Sequence, residues 1–184
     1  MFIVSLTTIA ALRTDGYSHA VNSVSGLGAR GVPLALAFNV FGFVLPGLGV
    51  ASLSYVLAQA GGRTRNVGVL LLAASGVALA AAGIFPIDVA HRTSLASVVH
   101  LIAATVSGLF WMLSLFWLGR LLKRIGLISW GSATPWFSLF ILVEIIWAIA
   151  WQATPGWGQR IGFAGYFIWA AVTGSLLARS NAWL

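Results

Sequence analysis

The sequence predicts an all-α fold, an integral membrane helical bundle of about six transmembrane helices with a short first one, and three observations carry that prediction. Hydrophobic residues fill 60% of the 184 positions and charged residues only 7%, whereas a soluble domain dresses its surface with about 25% charged residues. Mean hydropathy is +0.98. The apolar runs reach the roughly 20 residues that a helix needs to cross a hydrocarbon core. No stretch long enough for a soluble domain lies between them, so residues 1–184 read as a single multi-pass membrane domain.

The first apolar run, Met1 to Leu12, spans only about 18 Å as a helix, against a core of roughly 30 Å. No basic segment precedes it, so a cleaved signal peptide is disfavoured and a shortened first span is expected. Residues 13–33, RTDGYSHAVNSVSGLGARGVP, form a long polar connection rich in glycine. Loops of this length are usually functional or disordered. Val21, Val24 and Leu27 recur at helical spacing, which predicts a short surface helix within an ordered cap.

Leu34 to Ala58 reads as a span with Asn39 near its start and a kink at Pro46. Asn66 to Phe85 is lined with alanine and glycine. Small residues let backbones approach closely in lipid, so this helix is expected at the centre of the bundle. Ser94 to Leu118, Pro135 to Trp151 and Gln159 to Ala178 complete the set. Trp130, Trp136, Trp151, Trp157 and Trp183 fall near span ends, as interfacial aromatic belts predict.

A net charge of +7 accompanies no basic helix and no basic-aromatic stripe, so nucleic acid is excluded as a partner and membrane lipids are expected instead. With six spans, Arg63, Arg65, Arg120, Lys123, Arg124 and Arg179 share one side, and Arg13, Arg30, Arg92 and Arg160 the other. The positive-inside rule then places both termini in the cytoplasm and the cap outside. The absence of cysteine removes disulfides, thiolate ligands and thiol nucleophiles.

Ionisable residues inside spans are functional-site hypotheses by default. Glu144 lies about 11 Å from the end of its run and His100 about 9 Å from the end of its own, with Asn39 and Tyr166 at a similar depth. Four helices would thus contribute to one polar layer, beneath Asp15, His19, Asp88 and His91. The pattern predicts an outward-facing pocket for a lipid headgroup or small amphiphile. Simpler readings stand beside it: Glu144 as a neutral acid bonded to a neighbouring helix, His100 as a donor to a backbone carbonyl, Asp88 as a turn residue.

No cofactor is required by this reading. A zinc-assisted hydrolase or transferase acting on lipid is an alternative, with His19, Asp88, His91 and His100 as candidate ligands, although no histidines pair at i, i+3 or i, i+4. Proton-coupled transport through Glu144 is another. So is an accessory or homo-oligomeric role, packing through the alanine- and glycine-rich helix. Haem is disfavoured because only His100 lies within a span, and phosphate loops and nucleophile elbows are absent.

Two separated motifs carry a resemblance. Gly16-Tyr-Ser-His19 is followed by Asn22-Ser23, Ser25-Gly-Leu-Gly-Ala29 and Pro33; later come Phe85-Pro-Ile-Asp88 and His100. In this order and spacing the chain resembles the prokaryotic membrane proteins grouped as domain of unknown function 998. The resemblance implies about six helices, a prokaryotic plasma membrane, and an association among Tyr17, His19, Ser25, Asp88 and His100. It assigns no activity. Where the family pattern leads one to expect glutamate, this chain has Gly26.

Overall fold

In the computed structural model, residues 1–61 and 66–180 are described, and they form six helical segments. Arg63, Arg65 and Trp183 lie outside the described residues. The first helix, α1, covers Phe2–Ala11, about 15 Å at 1.5 Å per residue. Phe2, Leu6, Ile9 and Ala10 are buried, a single face at i, i+4, i+7 and i+8 spacing. Phe2 stacks on Phe167, 4.5 Å between centroids, and lies 4.8 Å from Phe163.

Five further helices are long and apolar enough to cross a membrane: α2 Ala35–Ala60, α3 Val67–Ile84, α4 Leu95–Arg124, α5 Ile128–Ala150 and α6 Pro155–Ser180. The chain is therefore a multi-pass membrane bundle. Three helices are longer than the hydropathy pattern indicated. α4 continues past Leu118 to Arg124 because a helix can carry Arg120, Lys123 and Arg124 beyond the apolar core, and the last two sit in its final turn, where cations complement the helix dipole. α5 starts before Pro135, which is accommodated in a 3-10 turn, Thr134–Phe137. α6 starts at Pro155, a first-turn position that needs no N–H.

The kink expected at Pro46 takes the form of a π segment, Asn39–Val44, in which Leu45 N–H reaches Val40 O. Pro46 has no N–H for the Gly42 carbonyl and its ring crowds that oxygen. Widening the preceding turn accommodates the defect without breaking the span.

α3 is the most buried span, at 50% of its apolar window against 17 to 33% for the others. Its small residues account for this. A Cβ on Gly76 would lie 2.6 Å from Ala51 N, and one on Gly47 2.6 Å from Ala80 N, so α2 and α3 touch backbone to backbone. Several of the small residues offered by the sequence as a surface for another chain are thus already against α2 and α4 of the same chain.

The cap is ordered, but its helix differs from the expected one. It is a 3-10 turn, Val24–Gly28, opened by Ser23, whose Oγ accepts from Gly26 N at 3.1 Å. Val24 and Leu27 are fully buried while Val21 is 54% exposed. A 3-10 turn eclipses i and i+3, which puts Val24 and Leu27 on one face and leaves Val21 outside the element. The cap is pinned by Arg30 N–H to Ile87 O at 2.8 Å and by Gly156 N–H to Ala20 O at 2.8 Å. The 85–94 and 151–154 connections therefore share its end of the bundle.

Of the belt tryptophans, Trp136, Trp151 and Trp157 are exposed. Trp130 instead turns inward, donating its Nε1–H to Thr173 Oγ1 at 2.9 Å.

Candidate functional site

The site begins with a proline. In a continuing helix the Ala82 carbonyl would accept from the N–H of residue 86, but that residue is Pro86 and has none. α3 ends there, and the freed Ala82 oxygen meets His100 Nδ1 at 2.8 Å, with Phe85 O at 3.1 Å. Carbonyls only accept, so Nδ1 carries the proton. Nε2 is then left with a lone pair for the Ser25 hydroxyl, which lies 2.8 Å away. His100 is 1% exposed, on the first turns of α4 after the Ser94 cap.

Ser25 and His100 form one wall of a cavity of about 450 Å³ between α4, α5 and α6, whose lining also includes Glu144, Gln159 and Tyr166. Gln159 Oε1 accepts from Val24 N–H at 2.8 Å, tying the cap to α6. Glu144 occupies space left by Gly162, where a Cβ would overlap its carboxylate. No hydrogen bond or ion pair reaches that carboxylate from the described residues. Deeper in, Ser75 Oγ donates to Ser107 O at 2.8 Å, so the Tyr166 hydroxyl donates to Ser75 Oγ at 2.9 Å. Leu101, Leu109, Ile145 and Ile149 both line the cavity and are exposed on the bundle surface. An opening between α4 and α5 therefore faces the lipid.

Tyr17 and His19 lie outside this lining, in a cluster organised by Arg160. Its Nη2 donates to Tyr17 Oη at 2.6 Å and its Nε to His19 Nδ1 at 3.0 Å. Its Nη1 donates to Asn22 O at 3.0 Å and Gly156 O at 2.7 Å. Burial, and then the Arg160 charge, hold the His19 pKa below 6.5. Burial raises the Tyr17 pKa, and the Arg160 and Arg13 charges only partly oppose it. Asp15 pairs with Arg13, whose hydrogen bond holds the carboxyl below its usual range.

The other sequence candidates serve the frame. Asp88 Oδ1 accepts from Ala90 N–H at 3.1 Å and His91 N–H at 3.0 Å, a turn that also holds its pKa below the usual value, the His91 N–H first. The Asp88 backbone N–H donates to Ser97 Oγ at 2.9 Å. Asn39 Nδ2 donates to Gly28 O at 2.9 Å, and its buried Oδ1 has no partner among the described residues. The depth count set Asn39 level with His100, Glu144 and Tyr166, but it does not line the cavity, because helix rotation and the π turn aim it at the cap.

The proposed ligands for a metal do not converge. His19 faces Arg160, His91 faces Asp88 at 3.4 Å, and His100 faces Ser25. Among the described residues no group of three His, Cys, Asp or Glu stands close enough to hold an ion. Each histidine is taken up by a different element, which spacing along the chain could not reveal.

The model of the family described as "Protein of unknown function (DUF998)" matches residues 1–180. The chain belongs to this family. No curated protein and no solved structure matches it. The DUF998 match covers the cap, all six helices and every residue of the cavity lining.

Within this DUF998 chain, Gly26 is not required by packing. A Cβ there would meet Ser23 Oγ at 3.5 Å and the Tyr17 ring at 4.0 Å, ordinary contacts. Three contributors went unnoticed in the sequence: Arg160, Gln159 and Pro86 as the source of the free carbonyl. By sequence alone Arg160 reads as one of the charges that orient the chain. Its place in the first turns of an apolar run, where an unpaired charge is costly, was the available signal.

Proposed function

We propose that the protein takes a single-chain amphiphile with a neutral polar head from the bilayer into the cavity between α4, α5 and α6, beneath cap residues 13–33. The observation that supports this reading is the lining itself. Its volume of about 450 Å³ lies within the range of small-molecule sites, as does its mostly apolar wall with few convergent polar groups. Ser25, His100, Gln159 and Glu144 provide hydroxyl, imidazole, amide and carboxyl contacts, while Leu101, Leu109, Ile145 and Ile149 border the lipid side. None of the lining residues is lysine or arginine, which favours a hydroxyl- or ester-bearing head over a phosphate.

The cap end would face outward from a prokaryotic plasma membrane. In the sequence, Arg63, Arg65, Arg120, Lys123, Arg124 and Arg179 belong to the connections and terminus opposite the cap, against Arg13, Arg30, Arg92 and Arg160 on the cap side, an asymmetry that supports this orientation under the positive-inside rule. Because the chain has no cysteine, single-cysteine variants Asp15→Cys and Arg124→Cys report the sidedness directly. Impermeant maleimide applied to intact cells should label the first and not the second.

Binding is tested with a 1-O-alkylglycerol carrying a diazirine on its chain, photolysed in vesicles holding the full-length protein. Cross-links should concentrate on residues 101–109 and 141–149. Ala104→Phe, which fills the cavity, should abolish that concentration. Even labelling of all lipid-facing helices, unchanged by the filling substitution, overturns the reading.

A further inference from the structure

The cap does not need Ser25 to hold it down. Arg30 N–H to Ile87 O, Asn39 Nδ2 to Gly28 O, Val24 N–H to Gln159 Oε1 and Gly156 N–H to Ala20 O already anchor it by four hydrogen bonds on three elements, the 85–94 connection, α2 and α6. The contact between Ser25 Oγ and His100 Nε2 is therefore free to be chemical.

We propose that Ser25 is a nucleophile activated by His100 for acyl transfer from a carboxylic ester, the ester belonging to the amphiphile that the preceding reading places in this cavity. The pair meets the geometric requirements of an activated serine. The separation of 2.8 Å lies in the range where a base takes a hydroxyl proton. The base is oriented by a third group, as such pairs require; here that group is a pair of backbone carbonyls, Ala82 O and Phe85 O, freed at the Pro86 helix end. They fix the tautomer that leaves the Nε2 lone pair facing the hydroxyl. Both side chains line the cavity, so an ester carbonyl held there reaches Ser25 Oγ.

Gln159 supplies a further element. Its Oε1 is engaged by Val24 N–H, while its Nε2 meets no acceptor among the described residues and the side chain lines the cavity. An amide donor lining the same cavity as the nucleophile, held through the residue that precedes Ser25, is the kind of group that stabilises a developing oxyanion.

The step balances without a metal or redox partner. Ser25 Oγ bonds to the ester carbonyl carbon as its proton passes to His100 Nε2, and the carbonyl electron pair moves onto oxygen. On collapse the bond to the alkoxy oxygen breaks, and the alcohol departs with the proton from Nε2. A water then gives a proton to Nε2 and its oxygen attacks the acyl-serine carbonyl. Collapse breaks the ester bond to Ser25, whose Oγ recovers the proton, and a carboxylic acid is released. While protonated, His100 keeps its Nδ1–H on the two carbonyls.

The test uses the full chain in detergent micelles and a long-chain alkyl fluorophosphonate. Mass spectrometry should find the adduct on Ser25, with Ser23 and Ser107, which line the same cavity, unmodified. His100→Gln should slow the labelling about 100-fold or more, the scale of a lost general base, while Ser25→Ala removes it. Absence of a Ser25 adduct on the folded wild-type protein overturns the proposal whatever the variants do, and so does a His100→Gln variant labelled at the wild-type rate. The diazirine alkylglycerol is an ether and cannot be cleaved, so it separates the two ideas. Cavity cross-links without a Ser25 adduct leave binding and overturn the nucleophile. A His100-dependent adduct without cavity cross-links upholds the nucleophile and overturns the alkylglycerol-like ligand.

Discussion

Replacing His100 with leucine tests the claim that Pro86 creates the position for this imidazole. The substitution keeps an apolar group in a site that is 1% exposed and removes the Nδ1–H that serves Ala82 O at 2.8 Å and Phe85 O at 3.1 Å. Leaving a buried carbonyl without a donor costs about 1–3 kcal/mol, and the lost Ser25 bond adds about 1 kcal/mol. Ser25 borders the cavity, where water can replace part of that bond. The expected loss is about 2–4 kcal/mol in reversible unfolding from mixed micelles. Pro86→Ala restores an N–H in register with Ala82 O. In the leucine background it should recover about 1 kcal/mol, whereas in the wild type the same change removes a helix stop and brings no gain. A coupling below about 0.5 kcal/mol in that cycle, the usual limit of additivity, refutes the account of the freed carbonyl.

Three other outcomes are expected. Gly162→Ala puts a Cβ into the Glu144 carboxylate and should cost about 1–3 kcal/mol as overpacking; combined with Glu144→Ala, the penalty should largely vanish in the same unfolding assay. The folded-state pKa of His19 is held below 6.5, so its contribution to stability is complete above that value and is lost as pH falls through the lower folded pKa. Hydrogen-exchange protection at residues 17–24, corrected for the intrinsic pH dependence of exchange, should fall over that window, and His19→Gln should flatten the response. Gly26→Glu, which meets only ordinary contacts beside Tyr17, should change stability by no more than about 0.5 kcal/mol, measured as a shift in the unfolding midpoint.

The membrane bundle was legible because its cause is compositional. Runs such as Val67–Ile84 have no charged group, and in lipid only a helix satisfies the backbone of an isolated run. His100, Glu144 and Tyr166 stand out as polar exceptions and Ser25 through the family resemblance, and all four line one cavity. Asn39 was identified by the same logic, yet depth along an axis says nothing about rotation around it. The π turn before Pro46 directs Asn39 to Gly28.

By itself, then, the sequence determined that the chain crosses the membrane several times, where most of the helices lie, and which polar residues needed partners. Hydropathy and helical rise are local properties, and they are sufficient for those conclusions. Only the tertiary structure decided which partners they take. Three histidines that looked like one ligand set were divided among Arg160, Asp88 and Ser25. A proline that read as a simple helix stop was shown to free the carbonyl that orients His100. The His91 pairing is local, three positions from Asp88, but those of His19 and His100 join residues 15 to 141 positions apart on separate elements, and no local pattern encodes that packing.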